Sequence, residues 1–396
     1  MLQKIPFVLA AFWFCHHSAF AQRTLEYDYS VVNQVRIDLR ELGYPPADVI
    51  PPDESAVRSL AIAPNGALYG ATSGKRSHLF VLFPVHGYVQ PLCVLQGVAT
   101  VHRSLVVSKS GDVYVGSGDK DGRLYRYSTK NDEAKPIRVD TACEVTDLGG
   151  PAPGEGIYSL TIDPVFGMLY GLTSPGGHFF SFDTRSGKFI VHGKVADRPI
   201  PGEQFEDYKN IGRAMVVDGD GGVFTSGENG AIYRYHAGSG LERLAISAPT
   251  VRGRAPYNRV DAWAKGPCGM LYGGASDGYL FRLDPRTLTI ENLGKPLNQY
   301  RIRGLVFARN GKLYGVGGDD GEMARLFSYD PRTGAYEMLG MIDVNRRPFY
   351  SWQAYVVDSM AIGADDTIYI GQAERKSKLY LYYPEPAAAL PACKAP

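Results

Sequence analysis

The sequence predicts an all-β fold, a seven-bladed β-propeller closed by an N-terminal strand. Three observations lead there. Residues 101–127, VHRSLVVSKSGDVYVGSGDKDGRLYRY, read as three short strands joined by two tight turns. Runs rich in Val and Tyr and bounded by Gly, Ser and Asp are antiparallel hairpins. The same pattern recurs along the chain, and no convincing amphipathic helix interrupts it.

The copies are SLAIAPNGALYGATSG with HLFVLFP, SLTIDPVFGMLYGLTSPGG with HFFSFDT, AMVVDGDGGVFTSGENG with AIYRYHA, AWAKGPCGMLYGGASDG with YLFRLDP, GLVFARNGKLYGVGG with RLFSYDP, and SMAIGADDTIYIGQAERKS with KLYLYYP. Aligned on the first apolar anchor, they begin at Leu60, Leu105, Leu160, Met215, Trp263, Leu305 and Met360, spaced 42 to 55 residues apart. A unit of that length with three regular strands and a more variable fourth is a propeller blade. An uninterrupted array of seven makes 22–396 one domain. The 46 glycines and 26 tyrosines suit turn-dense sheets with aromatic packing between blades.

Met1 to Ala21 carries a lysine, an apolar run and the small-x-small ending Ala19-Phe20-Ala21. It reads as a secretory leader, too short for a membrane span, so the mature protein is expected to be secreted or periplasmic. Cys15 raises a lipoprotein alternative, but FWFC lacks small residues before the cysteine. The seventh unit stops after LYLYYP, and residues 27–42, YDYSVVNQVRIDLREL, contain a strand-like alternation. That segment is expected to supply the missing outer strand and remove an open edge. The Pro/Ala-rich 384–396 is expected to be a flexible tail. Cys93, Cys143, Cys268 and Cys393 show no CxxC and no metal spacing, which reads as buried or free thiols. Cys93 and Cys143, in outer-strand regions of neighbouring blades, are expected to lie too far apart to pair.

Formal net charge is +1, which gives no reason to expect a nucleic-acid or membrane-surface partner, and a monomer is expected. Any charge that matters is local. The residue two before each anchor should lie at the mouth of the central channel: Arg58, Arg103, Tyr158, Arg213, Asp261, Arg303 and Asp358. His102 stands beside Arg103. His78 and His178, before LF and FF, fall in the turns between second and third strands on the same face, a slot filled elsewhere by Arg123, Tyr279, Arg325 and Lys378. One arginine at a strand start is ordinarily a surface residue, and Asp261 and Asp358 are available to neutralise two. As a set they make a basic, aromatic rim suited to an anionic ligand, since guanidinium binds carboxylate or sulfate bidentately.

Other chemistry is weakly signalled. The turns Gly118 to Gly122 and Asp319 to Glu322 carry carboxylates of the kind that hold calcium, without the spacing of a dedicated loop. No zinc pattern, catalytic-triad order or phosphate-cradling loop is present. No metal is assigned as a ligand set and no organic cofactor is required; a structural calcium or zinc ion stays open.

The leader, the blade pattern with its LYG and LF signatures, and the histidines of SHLF (His78) and VHRSL (His102) make the chain resemble the secreted seven-bladed propeller polysaccharide lyases, the ulvan and rhamnosyl-glucuronate lyases. The resemblance implies β-elimination of a uronate-containing polysaccharide, with a His and Tyr pair for proton transfer and Arg on the uronate carboxylate. On this sequence those roles fall to His78, His102 and Tyr158 as catalytic residues. The carboxylate role falls to Arg213 and Arg303 with help from Arg103, and the basic rim adds Arg58, His178 and Asp261 as substrate-binding residues. Two other readings remain: a glycoside hydrolase on the same scaffold, which needs two carboxyl groups flanking the bond, and a non-catalytic propeller that binds anionic glycans.

Overall fold

The structure is a computed structural model that describes residues 37–38, 50–84, 88–130, 132, 140–196, 211–319, 321–346, 350–375 and 377–386. Seven four-stranded antiparallel sheets follow one another along the chain. The first holds Ala56–Ile62, Leu68–Ser73, Ser77–Phe83 and Tyr88–Leu95, each strand paired with the next. The inner strands of the later blades are Leu105–Val107, Gly156–Ile162, Val216–Val217, Val260–Lys265, Ile302–Phe307 and Val357–Ile362. All seven anchors line one axial cavity of about 370 Å³. The repeat read from sequence is therefore the propeller ring.

The LYG and LF signatures have a common physical origin. Gly70, Gly171, Gly273 and Gly315 on second strands sit opposite Phe80, Phe180, Phe281 and Phe327 on third strands. A Cβ at any of these glycines would collide with the facing ring. The missing side chain lets the ring lie flat over the strand. All four phenylalanines are fully buried, and removing each from water contributes on the order of 2 kcal/mol.

In blade seven Ile37–Asp38 pairs antiparallel with Leu379 and Lys378 in the outer position. The rest of the segment expected to close the ring lies outside the described residues. So do the leader and residues 387–396 of the tail. The described residues contain no helix long and apolar enough to cross a membrane.

The cysteine expectation is corrected. Cys93 and Cys143 form a disulfide, with Cα atoms 4.8 Å apart. Cys268 is disulfide-bonded as well. Blade assignment placed Cys93 and Cys143 on separate sheets, but the chain at 141–143 runs beside the outer strand of blade one. There the Val94 amide donates to the Thr141 carbonyl at 2.8 Å and the Cys143 amide to the Val94 carbonyl at 2.8 Å. The bridge staples blade one to the chain segment that feeds the outer strand of blade two.

Candidate active site at the channel mouth

A β-bulge sits at the start of five inner strands. Pairing with the second strand skips one residue between Val57 and Ser59, Ile157 and Ser159, Val260 and Ala262, Ile302 and Gly304, and Val357 and Ser359. The skipped residues are Arg58, Tyr158, Asp261, Arg303 and Asp358, five of the seven positions picked two before each anchor. A bulge re-aims a side chain that regular pleating would send elsewhere. Arg103 and Arg213 take the same place in blades two and four just ahead of shorter strands.

The four arginines of this set converge on Asp358. Its Oδ2 accepts from Arg58 Nη1 at 2.8 Å and Arg213 Nη2 at 2.9 Å, and its Oδ1 from Arg103 Nη2 and Arg303 Nη1, each at 3.3 Å. Arg103 also donates to the carbonyls of Asp261 and Arg303. Asp261 pairs with Arg259 at 3.0 Å and Arg301 at 2.8 Å, and Asp319 with Arg303 at 2.7 Å and Arg301 at 3.6 Å. Asp261 and Asp358 are fully buried. Burial would raise their pKa values, but the surrounding arginines outweigh it and hold both far below the usual carboxylate range.

Among the described residues six guanidinium groups surround three carboxylates, a difference of three charges (6 − 3). Arg103, Arg259 and Arg303 are lowered below their ordinary range, by burial first; Arg303 comes down to about 9, with Arg301 and Arg213 adding to the effect. Arginine does not give up its proton in proteins. The lowering reflects burial first; Arg213 and Arg301 are raised instead, because burial is outweighed there by acidic partners, Asp358 foremost for Arg213 and Asp261 for Arg301. Two donors, Arg103 Nε and Arg301 Nη2, are buried without an acceptor.

Above this layer lies a cavity of about 790 Å³ whose wall includes Arg58, His102, Tyr158, Arg213, Arg259 and Arg301. The His102 ring meets the Tyr158 ring edge-on, centroids 4.8 Å apart, and the Arg213 guanidinium lies 5.9 Å from the centre of the Tyr158 ring. Burial, then Arg213 and Arg58, push the His102 pKa down to about 4, so its ring is neutral near pH 7. Gly118 makes room for it, because a Cβ there would meet the His102 ring. The neighbouring Asp119 carboxylate accepts from the Ala99 and Thr100 amides at 2.9 and 3.3 Å and fixes the segment that carries His102. Acids of both calcium-like turns are thus engaged within the protein: Asp119 and Asp121 by backbone amides, Asp319 by arginines.

The structure brings His102, Tyr158, Arg58, Arg213 and the Asp358 hub together. It does not bring His78 with them. That residue is fully buried in blade one and lies outside the cavity wall, its Nε2 2.6 Å from Glu54 Oε2. Burial chiefly lowers its pKa. Glu54 also accepts from Arg76 at 2.9 Å. It belongs to the turn Pro52–Glu54, whose Pro52 and Asp53 form part of the cavity wall. His78 therefore anchors the rim from behind. His178 is its repeat equivalent: both backbone amides donate to a second-strand threonine, Thr72 at 3.1 Å and Thr173 at 3.0 Å. Each ring also meets a glutamate preceding its inner strand, His178 Nδ1 lying 2.8 Å from Glu155 Oε1. Lys378, in the same slot, is fully buried.

Sequence reasoning missed Arg259, Arg301 and Glu54, and read Asp319 only as part of a calcium-like turn. Arg259 and Arg301 each stand two residues before a bulge residue, so the signal available was an R-x-D or R-x-R pair at the blade start. Arg301 has a left-handed backbone (φ 65°), an uncommon conformation for a non-glycine residue. Next to Arg301, the Tyr300 ring carries Lys295 at 5.3 Å and Arg254 at 5.2 Å, the latter paired with Asp277 at 2.8 Å.

No family model and no curated protein matches the chain. Solved structures do. A streptogramin B lyase superposes with a TM-score of 0.60 at 14% identity, covering 83% of this chain and 95% of that one. Virginiamycin B lyase from Staphylococcus aureus gives 0.60 at 13%, with the same coverages. The extracellular domain of the one-component system BT4673 from B. thetaiotaomicron gives 0.57 at 15%, covering 89% of this chain and 40% of that one. At these identities the likeness is one of fold.

Proposed function

We propose that the protein is a secreted carbon–oxygen lyase that cleaves a uronate-containing, rhamnosyl-glucuronate or ulvan-like polysaccharide by β-elimination at the channel mouth. The observation that carries this reading is the neutral His102 packed against Tyr158 in a cavity walled by Arg58, Arg213, Arg259 and Arg301. A carboxylate entering there relieves repulsion among Arg58, Arg213, Arg259 and Arg301 and offers an acceptor to Arg301 Nη2. Arg103 and Arg303 in the layer beneath add their field.

The step follows from those positions. Guanidinium groups held on the uronate carboxylate stabilise the charge that develops as the proton on C5 leaves, and such preorganised electrostatics usually supply the largest share of the rate enhancement. His102 takes that proton. The C5–H electrons form the C4=C5 double bond as the C4–O bond breaks, and Tyr158 protonates the departing oxygen. Proton return through solvent resets both residues. The bound carboxylate raises the His102 pKa toward its ordinary range, which makes it a better base in the complex than in the free protein. His78 serves as a positioning residue through Glu54 and the rim turn. Hydrolysis fits less well, because Asp261 and Asp358 are buried and engaged by arginines.

Mass analysis of products from a uronate-containing rhamnoglycan separates the readings. Fragments one water lighter than hydrolysis products support elimination. Fragments of hydrolysis mass point to the hydrolase, and binding without cleavage leaves a glycan-binding propeller.

A further inference from the structure

Beside the mouth, on the same face, lies a second cavity of about 450 Å³ whose wall includes Gln299, Glu322, Arg325 and Tyr355. It is built from the continuation of the mouth's own elements. Gln299 stands two residues before Arg301, and Glu322 opens the third strand of blade six just after Asp319, which pairs with Arg301 and Arg303. Three polar atoms on this wall are buried without a partner: Gln299 Oε1, Glu322 Oε2 and Arg325 Nε. Gln299 is only 5% exposed, and its amide nitrogen donates to the Met323 carbonyl, which fixes the side chain and leaves the oxygen as the unmet end. Three such orphans around one cavity are a cost that native proteins seldom carry without a ligand or water to meet it.

The charge balance differs from that of the mouth. Among the described residues of this wall Glu322 and Arg325 are the charged pair and cancel, which leaves no excess charge there with which to attract an anion. What it lacks is two hydrogen-bond donors, for Gln299 and Glu322, and one acceptor, for Arg325. An uncharged ring with adjacent hydroxyls supplies both. We infer that this cavity is a second subsite that takes a neutral sugar unit, next to the mouth that takes the charged one. The inference deepens the reading of the mouth as a polysaccharide site and rests on it for chain continuity. It makes the substrate a chain that joins a neutral unit to a charged one rather than a single acid.

Saturation-transfer NMR on the full-length protein tests this with methyl pyranosides of glucose, galactose, mannose and rhamnose, none of which carries charge. Transfer to at least one glycoside is expected. It should be lost in Glu322→Ala and in Gln299→Leu, with circular dichroism unchanged, and kept in His102→Ala. Glu322→Gln, which keeps an acceptor, should retain part of it. Transfer to none of the four, or transfer that persists in both Glu322→Ala and Gln299→Leu, overturns the inference. Because this readout needs no turnover, a failure of elimination at the mouth and a failure of the second subsite are seen separately.

Discussion

His102 stands edge-on to Tyr158 with ring centroids 4.8 Å apart, although the two belong to different blades. The contact exists because the bulge between Ile157 and Ser159 turns Tyr158 toward the axis while Gly118 leaves room for the imidazole. The base and the acid of the proposed elimination are thereby set side by side, with the Arg213 guanidinium 5.9 Å from the Tyr158 ring. Fixed contact of this kind gives Tyr158→Phe a clear expectation: the ring packing survives and the proton is lost. Turnover should fall about 100-fold or more, with the melting temperature nearly unchanged.

Asp358 is the hub of four arginines. Asp358→Asn removes the charge while keeping the shape, and leaves Arg58, Arg103, Arg213 and Arg303 facing one another. Loss of one partner from a buried ionic cluster costs about 3–5 kcal/mol. Chemical denaturation should show a shift of that order, larger at low salt than at high salt.

Stability should fall as pH drops below about 6.5. His102 and His78 are both held below their unfolded values, chiefly by burial. The unfolded chain therefore binds more protons in this range, and the stabilisation present above the unfolded histidine pKa of about 6.5 drains away toward acid. With His102 at about 4 in the folded state, its share of the loss at pH 5 is about 2 kcal/mol. Below about pH 4 the depressed carboxylates Glu54, Asp261 and Asp358 add to the decline. Urea midpoints measured from neutral to mildly acid pH check the sign. A midpoint that rises toward pH 5 would contradict it.

The Cys93–Cys143 bridge spans 50 residues of sequence. Closing a loop of that length restricts the unfolded chain by about 4 kcal/mol in the entropy treatment. Cys93→Ser with Cys143→Ser should lower stability by up to that amount and leave the channel-mouth chemistry intact. An unchanged denaturation midpoint would contradict the stapling role.

The blade repeat and the mouth positions were legible in sequence because both are periodic. An anchor recurs, a glycine faces a phenylalanine, and the residue two before the anchor falls on the bulge. What repeats less is harder to read. Cys93 and Cys143 meet only because the chain at 141–143 crosses to a neighbouring sheet, which strand patterning within blades does not encode. His78 occupies the same turn slot as His178, yet lies buried on Glu54, since the turn Pro52–Glu54 lies between it and the mouth cavity. Arg259 and Arg301 escaped notice because they precede the bulge rather than occupy it.

The most direct measurement follows ultraviolet absorbance of a uronate-containing rhamnoglycan incubated with the wild-type protein and with His102→Ala. The account predicts a steady rise from unsaturated uronate ends with wild type, declining as pH falls and His102 takes up a proton, and a rate at least about 100-fold lower for the variant. Wild-type cleavage that generates reducing ends with no absorbance gain, or a His102→Ala rate equal to wild type, would contradict it.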